Sequence, residues 1–248
     1  MSVWGEEFGR NVGQLLGPPF KALSEIRHAR SLHPEGICLR AEVVPVKTDA
    51  AFAHVAERLT GPALVRLSTA TWRGGREWPD ILGAAVRFRH SERITEEATP
   101  GDQDLLFSTL RHAWTLAPAF FTTHVHDWLE NDYYGLAPFE VRGLGRAKFR
   151  VTTPRMVSTR QGSRVERLQG AMQEGGALLT LELRSLEPGL PHTWTPLADI
   201  VLREEVTLDP ERLRFNPFRD GLGITPVGFL HSLRRSAYPQ SQEGRTEH

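Results

Sequence analysis

Short runs typical of β-strands, each bounded by turn residues, are the feature that most constrains how this chain can fold. The runs are rich in branched and apolar residues, and polar residues interrupt them at strand-like intervals. In order they are Ile37–Val46, Ala63–Ser68, Gly83–Arg89, Leu105–Leu110, Gly145–Val151, Gly176–Arg184 and Ile200–Leu208. Helical segments are interspersed, but no regular alternation of strand and helix joins the runs. The pattern therefore predicts an α+β fold built on an antiparallel sheet or barrel.

Helical spacing is found in two internal segments. Small and apolar residues recur at helical intervals in Ala50–Arg58, and Pro118–Glu130 carries a proline in its first turn. Residues 1–30 are predicted to form a helical N-terminal segment, and residues 240–248 a polar, frayed tail. The chain has 248 residues, a length that one large domain can accommodate, so we expect a single domain over residues 1–248.

Composition excludes several classes of function. The 30 basic and 30 acidic side chains cancel, and no basic stripe of the kind that binds nucleic acid is present. The single cysteine, Cys38, excludes an internal disulfide framework and a cysteine-based metal cluster. The first residues lack the charged and apolar regions of a signal peptide, and no apolar run approaches the length of a membrane helix. We therefore expect a cytoplasmic protein that binds neither nucleic acid nor membrane.

The stretch Leu230–Tyr238 is predicted to form an amphipathic helix. It places Arg234 about one turn before Tyr238, on the same helix face. A guanidinium next to a phenol lowers the phenol's pKa from its usual value of about 10 and so favours the phenolate. A phenolate is a good ligand for ferric iron, and tyrosinate is a known axial ligand of haem. By itself the pair is a common surface feature, so the rest of the chain has to decide its meaning.

Several segments, taken in order, resemble the core of haem catalases, and more closely their short single-domain relatives. They are Arg30–Gly36, similar to the distal-histidine motif; Val65–Thr69, similar to Val-Arg-Phe-Ser-Thr; Gly83–Phe88, similar to Gly-x-Ala-Val-x-Phe; Gly101–Leu106; Pro118 with Phe121; and Pro226–Tyr238, similar to the approach to the proximal helix. Together they cover about residues 28–121 and 215–242. Each motif alone is weak, but their common order and compatible spacing make the resemblance specific.

The resemblance implies a catalase-like antiparallel β-barrel with flanking helices and a haem b cofactor. Its cofactor-binding residues would be Tyr238 as the iron ligand, Arg234 holding it as phenolate, Arg30 and Arg66 pairing with the haem propionates, Phe121 stacking near the porphyrin plane, and Leu32 lining the distal channel. An always-charged, forked guanidinium suits the propionate role.

The resemblance also implies three residues on the catalytic side. His33 would take a proton from one peroxide oxygen and return it to the other, and Ser68 would hydrogen-bond its imidazole. Ser108 falls where the family has its distal asparagine, and its shorter hydroxyl donates a single hydrogen bond. His28 is the alternative distal residue, since His28-Ala29-Arg30 resembles the family's His-Ala-Lys. His33 is preferred because an arginine precedes it by three residues and a glycine follows it by three.

These features predict a haem peroxidase with weak catalase activity, which reduces hydrogen peroxide or organic hydroperoxides through a ferryl intermediate. An organic molecule would serve as reductant, because Ser108 makes efficient disproportionation of hydrogen peroxide doubtful. The long arm, wrapping loop and helical domain of full-size catalases have no counterpart here, so we expect a dimer or monomer with an open pocket. Two alternatives stay open: an allene oxide synthase-like enzyme that rearranges fatty-acid hydroperoxides, and a non-catalytic haem-binding or haem-free protein.

Three other motifs have simpler interpretations. The His124-x-His126 pair lies in a predicted helix, where the two imidazoles diverge, so a shared metal is disfavoured. Residues 73–76, Arg-Gly-Gly-Arg, could cradle an anion, but without a strand–helix phosphate loop they are predicted to form a flexible turn. Cys38 is predicted to be a small buried residue of a strand and not a reactive thiol.

Overall fold

A computed structural model of the protein describes residues 35–72, 74–112, 116–135, 137–153 and 161–227, with backbone only for residues 116–118. The strands are β1 (Glu35–Pro45), β2 (Gly61–Thr69), β3 (Leu82–Phe88), β4 (Gln103–Ser108), β5 (Tyr133–Tyr134), β6 (Phe139–Val141), β7 (Gly145–Thr152), β8 (Leu178–Ser185), β9 (Thr195–Glu205) and β10 (Ile224–Pro226). The helices within these ranges are α1 (Ala53–Arg58), α2 (Leu116–Thr122) and α3 (Arg164–Gln173), with a 3₁₀ helix at Trp128–Glu130.

The strands form one antiparallel sheet that closes on itself. Their order is β10-β6-β7-β5-β4-β3-β2-β1-β9-β8, and an additional pairing of β7 with β8 closes a barrel of eight strands. The short strands β6 and β10 extend from β7 outside this ring. The predicted antiparallel barrel is confirmed. The described helices are short, and none is long and apolar enough to cross a membrane.

The barrel interior is filled by side chains, as expected for eight strands. On each strand the residues of one parity point inward, and most of them are apolar and almost fully buried, with polar exceptions at strand ends such as Gln103 and Ser185. Leu39, Val65, Val86, Leu105 and Phe149 are examples, each with no exposed surface. The intervening residues face outward, so the alternation of the sequence directly sets the two surfaces of the sheet.

Each of the predicted strand runs overlaps an observed strand, and the largest boundary error is in β9, which begins at Thr195 and not at Ile200. The prediction missed β5, β6 and β10, which are too short to show an alternating pattern. Helix α1 begins at Ala53, after the predicted Ala50, because the Asp49 carboxylate accepts a hydrogen bond from Ala51 N (2.9 Å) and closes a turn.

The predicted helix Pro118–Glu130 is wrong in its second half. Helix α2 ends at Thr122, and the chain then turns before the 3₁₀ helix. The Asn131 side chain holds this turn, because it accepts a hydrogen bond from His124 N and donates one to His124 O, each 2.9 Å long. The Asp127 carboxylate caps the 3₁₀ helix by accepting from the following main chain (2.8 Å). Local side-chain hydrogen bonds thus replace the helical ones.

Residues 209–224, here called the strap, cross the outward face of β3 and β4. Gln103, which is fully buried, donates hydrogen bonds to Arg219 O (2.6 Å) and Ile224 O (3.0 Å). A side chain at Gly221 would place its Cβ 2.3 Å from main-chain atoms of the turn before β4. Glycine is therefore required where the strap crosses this turn.

Candidate functional site

The outward face of β1–β4 carries two rows of mostly small residues. Cross-strand pairing aligns them as Cys38, Arg66, Ala85 and Leu106 in one row, and Gly36, Ser68, Gly83 and Ser108 in the next. Their neighbours along each strand belong to the barrel core, which places these eight residues on the opposite face. We call this set the floor. Apart from Arg66 and Leu106 its side chains are no larger than a thiol or hydroxyl, so the surface is flat.

Arg66 projects from the middle of the floor. It is half-buried, and this burial lowers the pKa of its guanidinium from the ordinary value, while the neighbouring Cys38 raises it. An arginine stays protonated despite such a shift. A positive charge therefore lies in the middle of the floor, which is an arrangement suited to binding the carboxylate of a ligand.

Cys38 does not behave as a reactive thiol. Burial raises its pKa above the ordinary value, and this effect outweighs the lowering by Arg66; Glu205 raises the pKa further. The sulfur is thus held as the neutral thiol near neutral pH, whereas nucleophilic and metal-binding cysteines need the thiolate. Cys38 was predicted to be a small buried residue of a strand and not a reactive thiol; it lies on β1 and is only partly buried.

Two serines lie in the second row of the floor, the one that contains Gly36 and Gly83. Ser68 and Ser108 are each the direct cross-strand neighbour of Gly83, so they are about 10 Å apart, two strand spacings. Ser68 is buried, at 4% exposed. The Oγ atom of Ser108 is buried and has no hydrogen-bond partner in the described part of the chain. A buried hydroxyl without a partner costs about 1–3 kcal/mol and calls for a specific explanation.

The start of β1 is fastened at the edge of the floor. A Cβ at Gly36 would lie 2.6 Å from a carbonyl oxygen of β2 and 2.9 Å from Ser68 Cβ, so only glycine allows this close approach. The preceding Glu35 carboxylate accepts hydrogen bonds from Gly74 N (3.0 Å) and Gly75 N (2.9 Å). The amides of this glycine turn do hold an anion, and that anion is the protein's own carboxylate.

A buried ion pair borders the floor next to the row that contains Ala85 and Leu106. Arg87 and Asp104 are cross-strand partners with fully buried side chains, joined by bonds of 2.8 and 3.2 Å. Asp104 also accepts from Asn216 N (2.8 Å) and Arg219 Nε (3.2 Å), and the Arg87 guanidinium lies 4.9 Å from the centre of the Phe215 ring. These contacts tie the strap to the floor. Sequence reasoning missed them, although a charged residue within each apolar strand run was an available signal.

Phe121 lies on α2 and is 81% exposed. The helix is attached through Ala119, which packs in a small apolar cluster with Ile81, and through Thr123 Oγ1, which hydrogen-bonds Thr109 Oγ1 (2.9 Å). Thr109 directly follows Ser108, so the end of α2 is tied to the end of the floor. An aromatic ring exposed to this degree is available for stacking on a ligand.

The remaining predicted site residues lie outside the described residues: Arg30, Leu32, His33, Arg234, Tyr238 and the alternative His28. Of the predicted residues that are described, Arg66, Ser68 and Ser108 share one face of the sheet, and Phe121 lies on the helix tied to that face. The iron-ligand pair and the choice of distal histidine stay predictions.

The two histidines of the His-x-His motif contact different carboxylates. His126 Nδ1 lies 2.7 Å from Glu77, and His124 Nδ1 lies 3.8 Å from Glu130. The described ranges contain no group of three or more histidine, cysteine, aspartate or glutamate side chains that could hold a metal ion. A haem iron bound through Tyr238 would not need such a group, because its protein ligand would be a tyrosine.

Comparison with known proteins adds no assignment to this geometry. No protein-family model matches the chain, and no curated protein is similar enough to it to count as a match. The functional argument therefore rests on the residues themselves.

Proposed function

We propose that this protein is a haem-dependent peroxidase with a catalase-like barrel, which reduces hydrogen peroxide or organic hydroperoxides with an organic reductant. One observation carries the proposal. Arg66 and Ser68 come from one sequence motif and Ser108 from another segment, and all three lie in adjacent rows on one flat face of the barrel. The spacing within one strand puts Arg66 and Ser68 on the same face, but neither segment required Ser108 to join them, because the register of β2, β3 and β4 decides that.

The floor fits a flat macrocycle with acidic side groups. Its glycine, serine, alanine and cysteine residues are small enough for a flat ligand to approach the sheet closely. Arg66 supplies a partly buried cation for a propionate, and charge-assisted bonds of this kind are about twice as strong as neutral ones. The unpartnered Ser108 hydroxyl would gain a hydrogen-bond partner at a bound peroxide.

Bound haem would supply an iron that coordinates peroxide and accepts the change in oxidation state when the O–O bond breaks. The chain's own residues would do the rest. Tyr238 would hold the iron as a phenolate stabilised by Arg234, and His33 would move the proton between the two peroxide oxygens. Ser68 would orient that imidazole.

Ser108 favours reduction by a second substrate over disproportionation of peroxide. Its hydroxyl donates one hydrogen bond from a short side chain, whereas an asparagine at this position would donate from an amide that reaches further. A peroxide held less firmly at its outer oxygen leaves more of the chemistry to an external reductant. The preference for peroxidase over catalase activity is part of the proposal.

The absorption spectrum of the full chain, purified after expression with haem supplied, tests the proposal. We expect a ferric haem spectrum typical of a tyrosinate ligand, lost in Tyr238→Phe. Tyr134→Phe is the matched control, because it removes a phenol that donates a hydrogen bond to Asp132 (3.4 Å) and has no assigned role at the haem, so it should leave the spectrum unchanged. A wild-type protein that binds no haem under saturating supply overturns the proposal.

Replacing each candidate distal histidine by alanine tests the catalytic side. Reduction of peroxide should collapse in His33→Ala and persist in His28→Ala, and the reverse result would assign the role to His28. Product analysis with a fatty-acid hydroperoxide separates the enzymatic alternatives. An alcohol formed at the expense of a reductant supports a peroxidase, whereas an epoxide or ketol formed without one supports the rearrangement.

A further inference from the structure

A second group of charged side chains lies beside the floor, on the outward face of β7 and β8. Lys148 and Arg184 are directly opposite each other in the register, and the neighbouring Phe149 and Leu183 point into the core. Arg111, in the loop after β4, places its guanidinium 5.8 Å from the centre of the Tyr134 ring on the adjacent strand β5. We call Arg111, Lys148 and Arg184 the basic cluster. Like charges placed opposite each other destabilise a sheet, so the arrangement needs an explanation.

No carboxylate neutralises the basic cluster within the described residues. None of its three side chains makes a hydrogen bond or an ion pair there, and the Nε atom of Arg184 is buried without an acceptor. Glu182 is close in the sheet, but both of its oxygens are occupied, by Arg150 Nε (2.5 Å) and by Thr152 Oγ1 (3.2 Å). The neighbouring ion pair is therefore complete, and within the described ranges no carboxylate is left to compensate the basic cluster.

Trp194 holds Arg184 in position. The guanidinium carbon of Arg184 lies 5.1 Å from the centre of the Trp194 ring, and that of Arg150 lies 4.7 Å from it. A guanidinium lying against an indole has already lost most of its side-chain freedom. An anion that binds Arg184 therefore meets a preorganised donor, and preorganisation raises affinity.

The pKa of His112 responds to the positive charges of the basic cluster. The pKa of its imidazole is lowered from the ordinary value, first by burial and then by the positive charges of Arg111, Lys148 and Arg184. Three cations from separate elements thus act on one side chain, which agrees with their convergence in space. A bound anion would oppose this field and raise the pKa of His112 again.

We propose that the basic cluster binds a phosphate group carried by a small molecule. Phosphate carries between one and two negative charges near neutral pH and three free oxygens, so it can engage three separate cations. A carboxylate has one charge and two oxygens, which a single guanidinium already satisfies. Three cations are too few for nucleic acid, whose binding proteins commonly neutralise six to ten phosphates. The proposal uses none of the floor residues and does not depend on the haem assignment.

A titration of the full chain with inorganic phosphate and with pyrophosphate, followed by NMR of the histidine side chains at constant ionic strength, tests this site. The His112 signal is identified by its loss in His112→Gln. We expect a saturable change of that signal, tighter binding of pyrophosphate, and a raised His112 pKa in the bound protein. Acetate at equal ionic strength should produce no saturable change. If acetate matches phosphate, or if no titration saturates, the proposal is wrong.

Two variants locate the binding. Arg184→Gln and Lys148→Gln should each weaken phosphate binding about tenfold, the cost of one charge-assisted hydrogen bond. Both should fold, because each removes repulsion between like charges. Arg203→Gln is the matched control, since Arg203 is exposed and paired with Glu42 (2.5 Å), and it should bind as the wild type does. Unchanged affinity in both cluster variants would refute the assignment.

Discussion

Replacing Asp104 by asparagine should destabilise the protein strongly, because it removes one charge from a fully buried ion pair. Asparagine keeps the shape of aspartate but leaves the Arg87 guanidinium, which has no exposed surface, without its counter-ion. Breaking a buried pair from one side costs about 3–5 kcal/mol. In a chain of this size each kcal/mol corresponds to roughly 2–4 °C in Tm, so the Tm should fall by about 6–20 °C.

The contacts of Asp104 also predict which part of Asp104→Asn should unfold first. Asp104 accepts hydrogen bonds from Asn216 N (2.8 Å) and Arg219 Nε (3.2 Å), both in the strap. The amide of Asn216 should therefore lose protection from hydrogen exchange before amides in the barrel core do. Urea and thermal unfolding give the global stability of Asp104→Asn, and hydrogen exchange gives its local effect.

Two comparisons make the test specific. Glu42→Gln breaks an ion pair with Arg203 whose side chains are about half exposed, at 54% and 52%, and should cost under about 1 kcal/mol. The double variant Arg87→Met/Asp104→Leu replaces the buried charges with apolar groups and should recover most of the loss. If Asp104→Asn costs no more than Glu42→Gln, Arg87 is not buried opposite Asp104, and the attachment of the strap is wrong.

Two further predictions concern single side chains. Ser108→Ala removes a buried hydroxyl without a partner, so the haem-free protein should keep its stability or gain about 1 kcal/mol in urea unfolding, while peroxide reduction slows. A loss above about 1 kcal/mol would show that the hydroxyl is bonded in the haem-free state. Because the His112 pKa is lowered in the folded state, the unfolded chain binds more protons near the ordinary value of about 6.5. The contribution of His112 to the free energy of unfolding should therefore be complete above that pH and be lost as the pH drops, because the protonated imidazole would face the charges of Arg111, Lys148 and Arg184. Unfolding measured between about pH 8 and pH 5 should show a shallower loss of stability in His112→Gln than in the wild type. An equal loss in both proteins would refute the lowered pKa.

The pattern of branched and apolar runs bounded by turn residues was sufficient to predict seven of the eight barrel strands, because the pattern is local. It failed where side chains override local preference. Asn131 and Asp127 end the predicted helix 118–130 early, and their hydrogen bonds depend on a turn that periodicity does not encode. Strands as short as β5 have too few residues to show any period.

The candidate site divides in the same way. One motif singled out Arg66 and Ser68, another segment singled out Ser108, and the resemblance supplied a role for each. Only the register of β2, β3 and β4 placed Ser108 on the same flat face as Arg66 and Ser68, with glycine between the serines. The pairing of strands is set by closure of the whole barrel, which no segment determines by itself.

By itself the sequence predicted seven of the eight barrel strands and singled out candidate haem residues, whose roles stay a proposal. The tertiary structure alone decided that Arg87 meets Asp104, that the Ser108 hydroxyl has no partner among the described residues, and that Lys148 lies opposite Arg184. The physical reason is the distance along the chain over which each interaction acts. Alternation and capping act between near neighbours in the chain, whereas ion pairs, orphaned polar groups and charge clusters arise between strands that only barrel closure brings together.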